Sequence, residues 1–152
     1  MIKVQLPALL HSDGTVTFIN PCIKLTDGAY YLQIEHRNHV GVMSPALVNI
    51  VNDTLAYDFT LGDSYTVSNP PSFGQKLLST GVWAMHAADG QKKTAIDDED
   101  VNFSDELLWR SISGGFDKYL DTDFNLDGDT NAADNIFWKQ NNGKYSKVPH
   151  DH

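Results

Sequence analysis

Cysteine, basic side chains and long hydrophobic runs are all scarce in this chain of 152 residues. The one cysteine, Cys22, excludes a disulfide within the chain, and we expect it to be a small buried residue. Lysine and arginine number 11 against 20 aspartate and glutamate residues, and the net charge of −9 argues against binding to nucleic acid or to an anionic membrane. No hydrophobic run is long enough for a transmembrane helix, and the first seven residues lack the hydrophobic region of a signal peptide.

What the chain does have is a twelve-residue stretch rich in Asp and Asn, from Asp123 to Asp134. Short oxygen-bearing side chains occupy its positions 1, 3, 5, 9 and 12, and Gly128 at position 6 permits a sharp turn. This spacing suits Ca²⁺, which takes roughly six to eight oxygen ligands from alternate positions of a tight loop. The predicted ligands are Asp123, Asn125, Asp127, Asp129 through its backbone carbonyl, Asn131 and Asp134. The alternative is a polar turn before a helix, which requires only one or two such residues. A short helix is predicted over 132–140, ended by Gly143.

A weaker copy of this loop lies 29 residues earlier in the chain. Residues 105–109 match 134–138 at that offset, but the match fails upstream, where Glu99 replaces Gly128. Asp89 can supply the first ligand if about five residues are inserted in the loop. The predicted ligands of this second site are Asp89, Asp98, Asp100, Asn102 and Asp105.

Three interpretations of the weaker loop remain open. It binds Ca²⁺ through an enlarged loop, it is a metal-free structural partner of the intact loop, or Lys92 and Lys93 partly neutralise its acidic cluster.

Two features of the intact loop resemble dockerin modules rather than ordinary EF-hands. Position 12 is Asp134 instead of Glu, and the residues before Asp123 begin with two glycines and do not predict an entering helix. The resemblance implies two paired loop-helix units that touch through a short β-bridge between Val101 and Thr130, at position 8 of each loop. Trp109 and Trp138 occupy equivalent places in the two helices, and we expect both to pack in the core.

The first 69 residues predict β-structure. Short apolar runs separated by turn signals give expected strands at Ile2–Leu10, Thr15–Asn20, Tyr30–His36, Ala46–Val51 and Thr54–Thr60. Their spacing predicts an antiparallel, Ig-like β-sandwich. We therefore expect a mainly β fold with a small α part, divided into a β-sandwich module at 1–85 and a dockerin-like calcium-binding module at 86–152.

A further resemblance involves residues 7–14, residues 28–44 and Trp83-Ala84-Met85. These segments are similar to the C-terminal region of large secreted or surface proteins of Bacteroidetes-type bacteria, where a β module leads directly into a dockerin-like repeat. The resemblance implies that the chain is a fragment or that its sandwich lacks an edge strand.

His36 and His39 raise an enzymatic alternative, a metal-dependent hydrolase or an enzyme fragment. They are three residues apart at the end of an expected strand, with no Glu between them to act as a base, so we expect a structural role at a tight turn. The function expected from the sequence is a non-catalytic, calcium-binding module of a secreted or cell-surface protein, whose export signal lies elsewhere. Its partner would be a protein or a carbohydrate.

Overall fold

A computed structural model describes residues 4–11, 13, 15–18, 25–52, 55–62, 74–92, 99–116, 118–146 and 148. Within these described residues, eight short strands precede two helices. The strands are β1 (Ala8–Leu10), β2 (Val16–Phe18), β3 (Gly28–Tyr30), β4 (Gln33–His36), β5 (His39–Met43), β6 (Val48–Ile50), β7 (Gln75–Leu77) and β8 (Trp83–Met85). The helices are α1 (Phe103–Ile112) and α2 (Ala132–Asn141). The fold is mainly β with a small α part, as predicted, and none of the described helices is long and apolar enough to span a membrane.

All the described strand ladders are antiparallel and two-stranded. They pair β1 with β2, β3 with β6, β4 with β5, and β7 with β8. These ladders establish antiparallel β-structure but not an Ig-like sandwich. The strand expected at 54–60 is wrong over its described part, because residues 55–60 form coil and a turn. The strand expected at 30–36 is interrupted at Tyr31, which is half exposed and separates β3 from β4.

The hairpin of β4 and β5 is the β-element that enters the core. Val40 and Val42 of β5 are buried, and the two-residue turn between the strands places His36 opposite His39. β5 also contacts the segment that follows β8, where the Val40 N–H donates to the carbonyl of His86 at 2.9 Å.

Both helices begin in the same way. Asn102 and Asn131 are their N-caps, and each cap side chain accepts a backbone N–H from the first turn. Asp105 and Asp134 return the interaction to the cap residue's own N–H, which completes a capping box in each helix. The helix expected at 132–140 is thereby confirmed as α2.

One buried cluster joins residues from both sides of the predicted module boundary at 85/86. Its members are Val40, Ala88, Val101 and Phe124, with Trp109 and Trp138 packed against them. The core position predicted for the two tryptophans is confirmed. The boundary itself stays a prediction, but backbone and apolar contacts cross it at β5.

Candidate metal centre

The intact loop is closed by Asp134, which is fully buried. Its Oδ1 accepts the backbone N–H groups of Phe124 and Asn125 at 2.7 and 3.2 Å, and its Oδ2 accepts the N–H of Asn131 at 2.7 Å. One carboxylate therefore holds the start of the loop against the start of α2.

Asp105 does the same in the weaker loop. Its Oδ1 accepts the N–H groups of Gly90 and Gln91 at 2.8 and 3.1 Å, and its Oδ2 accepts the N–H of Asn102 at 2.8 Å. Gly90 and Gln91 are thus equivalent to Phe124 and Asn125. Asp89 consequently lies at position 1 of the weaker loop, equivalent to Asp123, as the enlarged-loop interpretation requires.

Short side chains of the intact loop accept hydrogen bonds from backbone N–H groups of the same loop, one after another along the chain. Asp123 accepts the N–H groups of Asp127 and Gly128 at 3.1 Å each, and Asn125 Oδ1 accepts the Asp127 N–H at 3.1 Å. Asp127 Oδ1 in turn accepts the N–H of Asp129 at 2.9 Å. Gly128 has a φ of +93°, in the left-handed region where glycine carries no Cβ penalty.

The carboxylates of Asp123, Asp127 and Asp134 accept backbone N–H groups, and Asp127 Oδ2 also accepts the side-chain Nδ2 of Asn125 at 2.8 Å. Among the residues that the structure describes, no three His, Cys, Asp or Glu side chains converge on a position where a metal ion could be held. The donor set nevertheless fits calcium, because every proposed ligand atom is an oxygen. A carboxylate has about four lone-pair sites, so Asp134, with three N–H partners, keeps capacity for a further contact.

The remaining predicted ligands lie in several places. Asn131 Oδ1 accepts the Ala133 N–H at 2.7 Å and Asn102 Oδ1 accepts the Ser104 N–H at 2.6 Å, so both serve as caps. Asp100 forms an isolated β-bridge with Tyr145. Asp98 and Lys93 lie outside the described residues.

The predicted bridge between Val101 and Thr130 is wrong. Thr130 forms its bridge with Gly115, and it exchanges backbone hydrogen bonds of 2.8 Å with Gly114 and Gly115. Val101 makes the equivalent 2.8 Å bonds with Gly143 and Lys144. Position 8 of each loop is therefore paired with the segment that follows the other unit's helix. These segments occupy the backbone groups that a direct contact between the two loops would need.

The tryptophans repeat this exchange between the two units. The Trp109 indole N–H of α1 donates to the carbonyl of Asn131, the cap of α2, at 3.0 Å. The Trp138 indole N–H of α2 donates to the carbonyl of Asn102, the cap of α1, at 2.7 Å. Each helix is thereby tied to the N-cap residue of the other.

The turn of the β4–β5 hairpin makes hydrogen bonds to the intact loop and to the residues just before it. The Asn38 side chain is fully buried and its Nδ2 donates to the backbone carbonyl of Asp123 at 2.6 Å. Arg37 donates to the carbonyl of Leu120, and its Nη2 lies 3.5 Å from Asp123 Oδ2. The guanidinium also stacks 3.8 Å from the ring centre of Tyr119. Asp123, the first predicted ligand of the loop, is therefore positioned from the β part of the chain.

His36 and His39 face each other across this turn. Their Nδ1 atoms are 3.0 Å apart, and His39 Nδ1 is also 2.8 Å from Asn38 Oδ1. Because the Asn38 amide nitrogen donates to Asp123, its Oδ1 accepts, so His39 carries its proton on Nδ1 and His36 Nδ1 accepts. Burial lowers the pKa of His39 to about 3, and burial followed by the charge of Arg37 lowers the pKa of His36. The pair is neutral, with its facing nitrogens engaged.

Lys92 lies inside the weaker loop with its side chain 10% exposed. Its ammonium is 3.0 Å from Asp89 Oδ2 and also pairs with Glu99. Burial by itself would lower the pKa of Lys92, but the carboxylates of Asp89 and Glu99 outweigh it, so the pKa is raised and the ammonium stays charged. The Glu99 carboxylate also accepts the backbone N–H of Gly41 in β5. A Cβ added at Gly41 would lie 2.9 Å from Glu99 Oε2.

The sequence did not indicate that Arg37 and Asn38 contact Asp123, because nothing local in a hairpin turn encodes a partner 85 residues away. The substitution of Glu99 for a loop glycine was the one local signal of its special role.

No protein-family model, curated protein or solved structure matches this chain.

Proposed function

We propose that this chain is a non-catalytic, calcium-binding module of a secreted or cell-surface protein. The observation that carries the proposal is the loop from Asp123 to Asp134, which has only oxygen donors at the ligand positions and the required left-handed glycine at position 6.

Calcium would be held by the side chains of Asp123, Asn125, Asp127 and Asp134, by the Asp129 carbonyl and by Asn131. The metal would supply the positive charge that clustered carboxylates need. The protein supplies a preformed backbone, because Asp134 and Asn38 fix both ends of the loop from the helix side and the hairpin side.

The equivalence of the two loop-helix units supports a dockerin-like arrangement of residues 86–152. The matching contacts of Asp105 and Asp134, and those of Trp109 and Trp138, relate one unit to the other residue by residue. For the β part, we propose a sandwich assembled from the antiparallel ladders. Extracellular calcium sites are typically weak and suit millimolar calcium, which favours an exported protein that binds or presents a protein or carbohydrate.

The histidine pair supports a non-catalytic role. His36 and His39 direct their Nδ1 atoms at each other, and His39 Nδ1 carries a hydrogen that is shared with Asn38. A zinc-type hydrolase would instead need imidazole lone pairs directed at a metal and a third ligand.

The proposal is tested by thermal unfolding in EDTA and in millimolar calcium. At calcium about 100-fold above Kd the gain should be about 2.7 kcal/mol, or roughly 5–11 °C in Tm. Asp127→Ala should abolish the gain, while Asp27→Ala, which removes the same charge from an exposed position outside the loop, should retain it. Identical melting curves of the unaltered protein in the two conditions would disprove the proposal. Micromolar zinc binding that is lost in His39→Ala would favour the hydrolase instead.

A further inference from the structure

We propose that the ammonium of Lys92 is a built-in cation that stands in for a metal ion in the weaker loop, so that the chain binds one calcium ion rather than two. This inference rests on the proposed function only for the calcium count; the role of Lys92 stands on its own contacts.

The hydrogen bonds of Asp105 fix where Lys92 lies in the loop. Because Gly90 and Gln91 are equivalent to Phe124 and Asn125, Lys92 follows the first ligand position by three residues, inside the turn of the loop. Its ammonium contacts Asp89, the counterpart of Asp123, at 3.0 Å. A positive charge therefore already lies next to the residue that would be the first metal ligand.

Burial makes this ammonium a structural partner rather than a surface charge. The side chains of Asp89 and Glu99 are 1% and 2% exposed, so either carboxylate keeps its negative charge only with a cation close by. Lys92 contacts both carboxylates. A single side chain thus places one positive charge between the two carboxylates, half of the charge that a calcium ion would bring.

Glu99 adds the second departure from a metal loop. It occupies the position of Gly128, and both residues have positive φ, +47° for Glu99 and +93° for Gly128. Instead of leaving the turn open, the Glu99 side chain bonds Lys92 and the backbone N–H of Gly41. The described parts of the weaker loop are thus joined to each other through Lys92 and Glu99 and anchored to β5.

The first experiment uses the unaltered protein. Calcium stoichiometry is measured by titration calorimetry, and the Lys92 ammonium is followed by ¹⁵N NMR of its side-chain Nζ. We expect one calcium per chain and an exchange-protected Nζ signal that is the same in EDTA and in calcium. Two calcium ions, or displacement of the Lys92 signal by calcium, would overturn the inference. Zero calcium with a protected Lys92 signal would refute the proposed function and leave the built-in cation standing.

The second experiment removes the charge. Lys92→Met should lower Tm in EDTA by roughly 6–20 °C, because it leaves two buried carboxyl groups without their cation. Lys139→Met removes the same charge from an exposed position of α2 and should change Tm by no more than about 2 °C. Equal effects of the two substitutions would overturn the inference.

Glu99→Gln keeps the inference testable if Lys92→Met does not fold. The glutamine carbonyl can still accept from Gly41, while the charge facing Lys92 is lost. The double variant Lys92→Met/Glu99→Gln should be more stable than Lys92→Met alone, since fewer stranded charges remain. A double variant as unstable as the sum of the two single changes would contradict the ion pair.

Discussion

Asp105 and Asp134 make the same three hydrogen bonds, which allows a matched pair of substitutions. We expect Asp105→Ala and Asp134→Ala to destabilise the protein equally in EDTA. Each substitution leaves three backbone N–H groups without their acceptor, and each carboxylate is at most 1% exposed.

The expected size follows from the cost of a stranded buried donor. One unsatisfied buried group costs about 1–3 kcal/mol, and losses from one side chain overlap, so we expect about 3–5 kcal/mol for each variant. In a chain of this length that corresponds to a Tm decrease of roughly 6–20 °C. The measurement is urea unfolding followed by circular dichroism, together with thermal melts.

Calcium should separate the two variants. Asp105→Ala should keep the calcium-dependent gain in stability, because its carboxylate belongs to the weaker loop, where the ammonium of Lys92 lies. Asp134→Ala should lose the gain, because it removes a ligand of the intact loop. The reasoning fails if Asp105→Ala costs less than about 1 kcal/mol, or if the two variants respond equally to calcium.

Two further predictions concern the hairpin turn. The pKa of His39 is lowered to about 3, so between pH 6.5 and 3 the unfolded chain binds more protons than the folded one. The free energy of unfolding should therefore fall with falling pH by up to about 1.4 kcal/mol per pH unit. In urea titrations between pH 7 and 5, the free energy of unfolding of His39→Gln should depend less steeply on pH. An unchanged pH dependence would contradict a buried neutral ring. Arg37→Gln should raise calcium affinity roughly three- to tenfold by removing a positive charge beside Asp123. Calorimetry should show no such gain for the exposed Arg110→Gln, and a lower affinity in Arg37→Gln would mean that the guanidinium positions the loop more than it repels the metal.

Local patterns carried most of what the sequence predicted correctly. The N-cap and the acidic residue three positions later define where α2 begins, and the offset of 29 residues relates Asp105 to Asp134. Even the enlarged loop, with Asp89 at its start, follows from counting residues. Each of these features depends on neighbours within one loop or one helical turn.

Long-range pairing was not encoded in the same way. Apolar alternation indicates strands but not their partners, and the described β1 and β2 bury so little that no pattern fixes what they pack on. The bridge assigned to Val101 and Thr130 was wrong because the chain reversals at Gly114 and Gly143, with φ of +97° and +81°, bring other segments alongside. Likewise, Lys92 looks like any lysine beside acidic residues until its burial is known.

The exchange of contacts between the two loop-helix units has a consequence for synthesis. The buried Val101 N–H donates to the carbonyl of Lys144, and the Trp109 indole N–H donates to that of Asn131. The unit that leaves the ribosome first thus emerges without the groups that complete it, and these hydrogen-bonding groups stay open to solvent until the second unit has been made. We therefore expect the two units to become ordered together rather than one after the other.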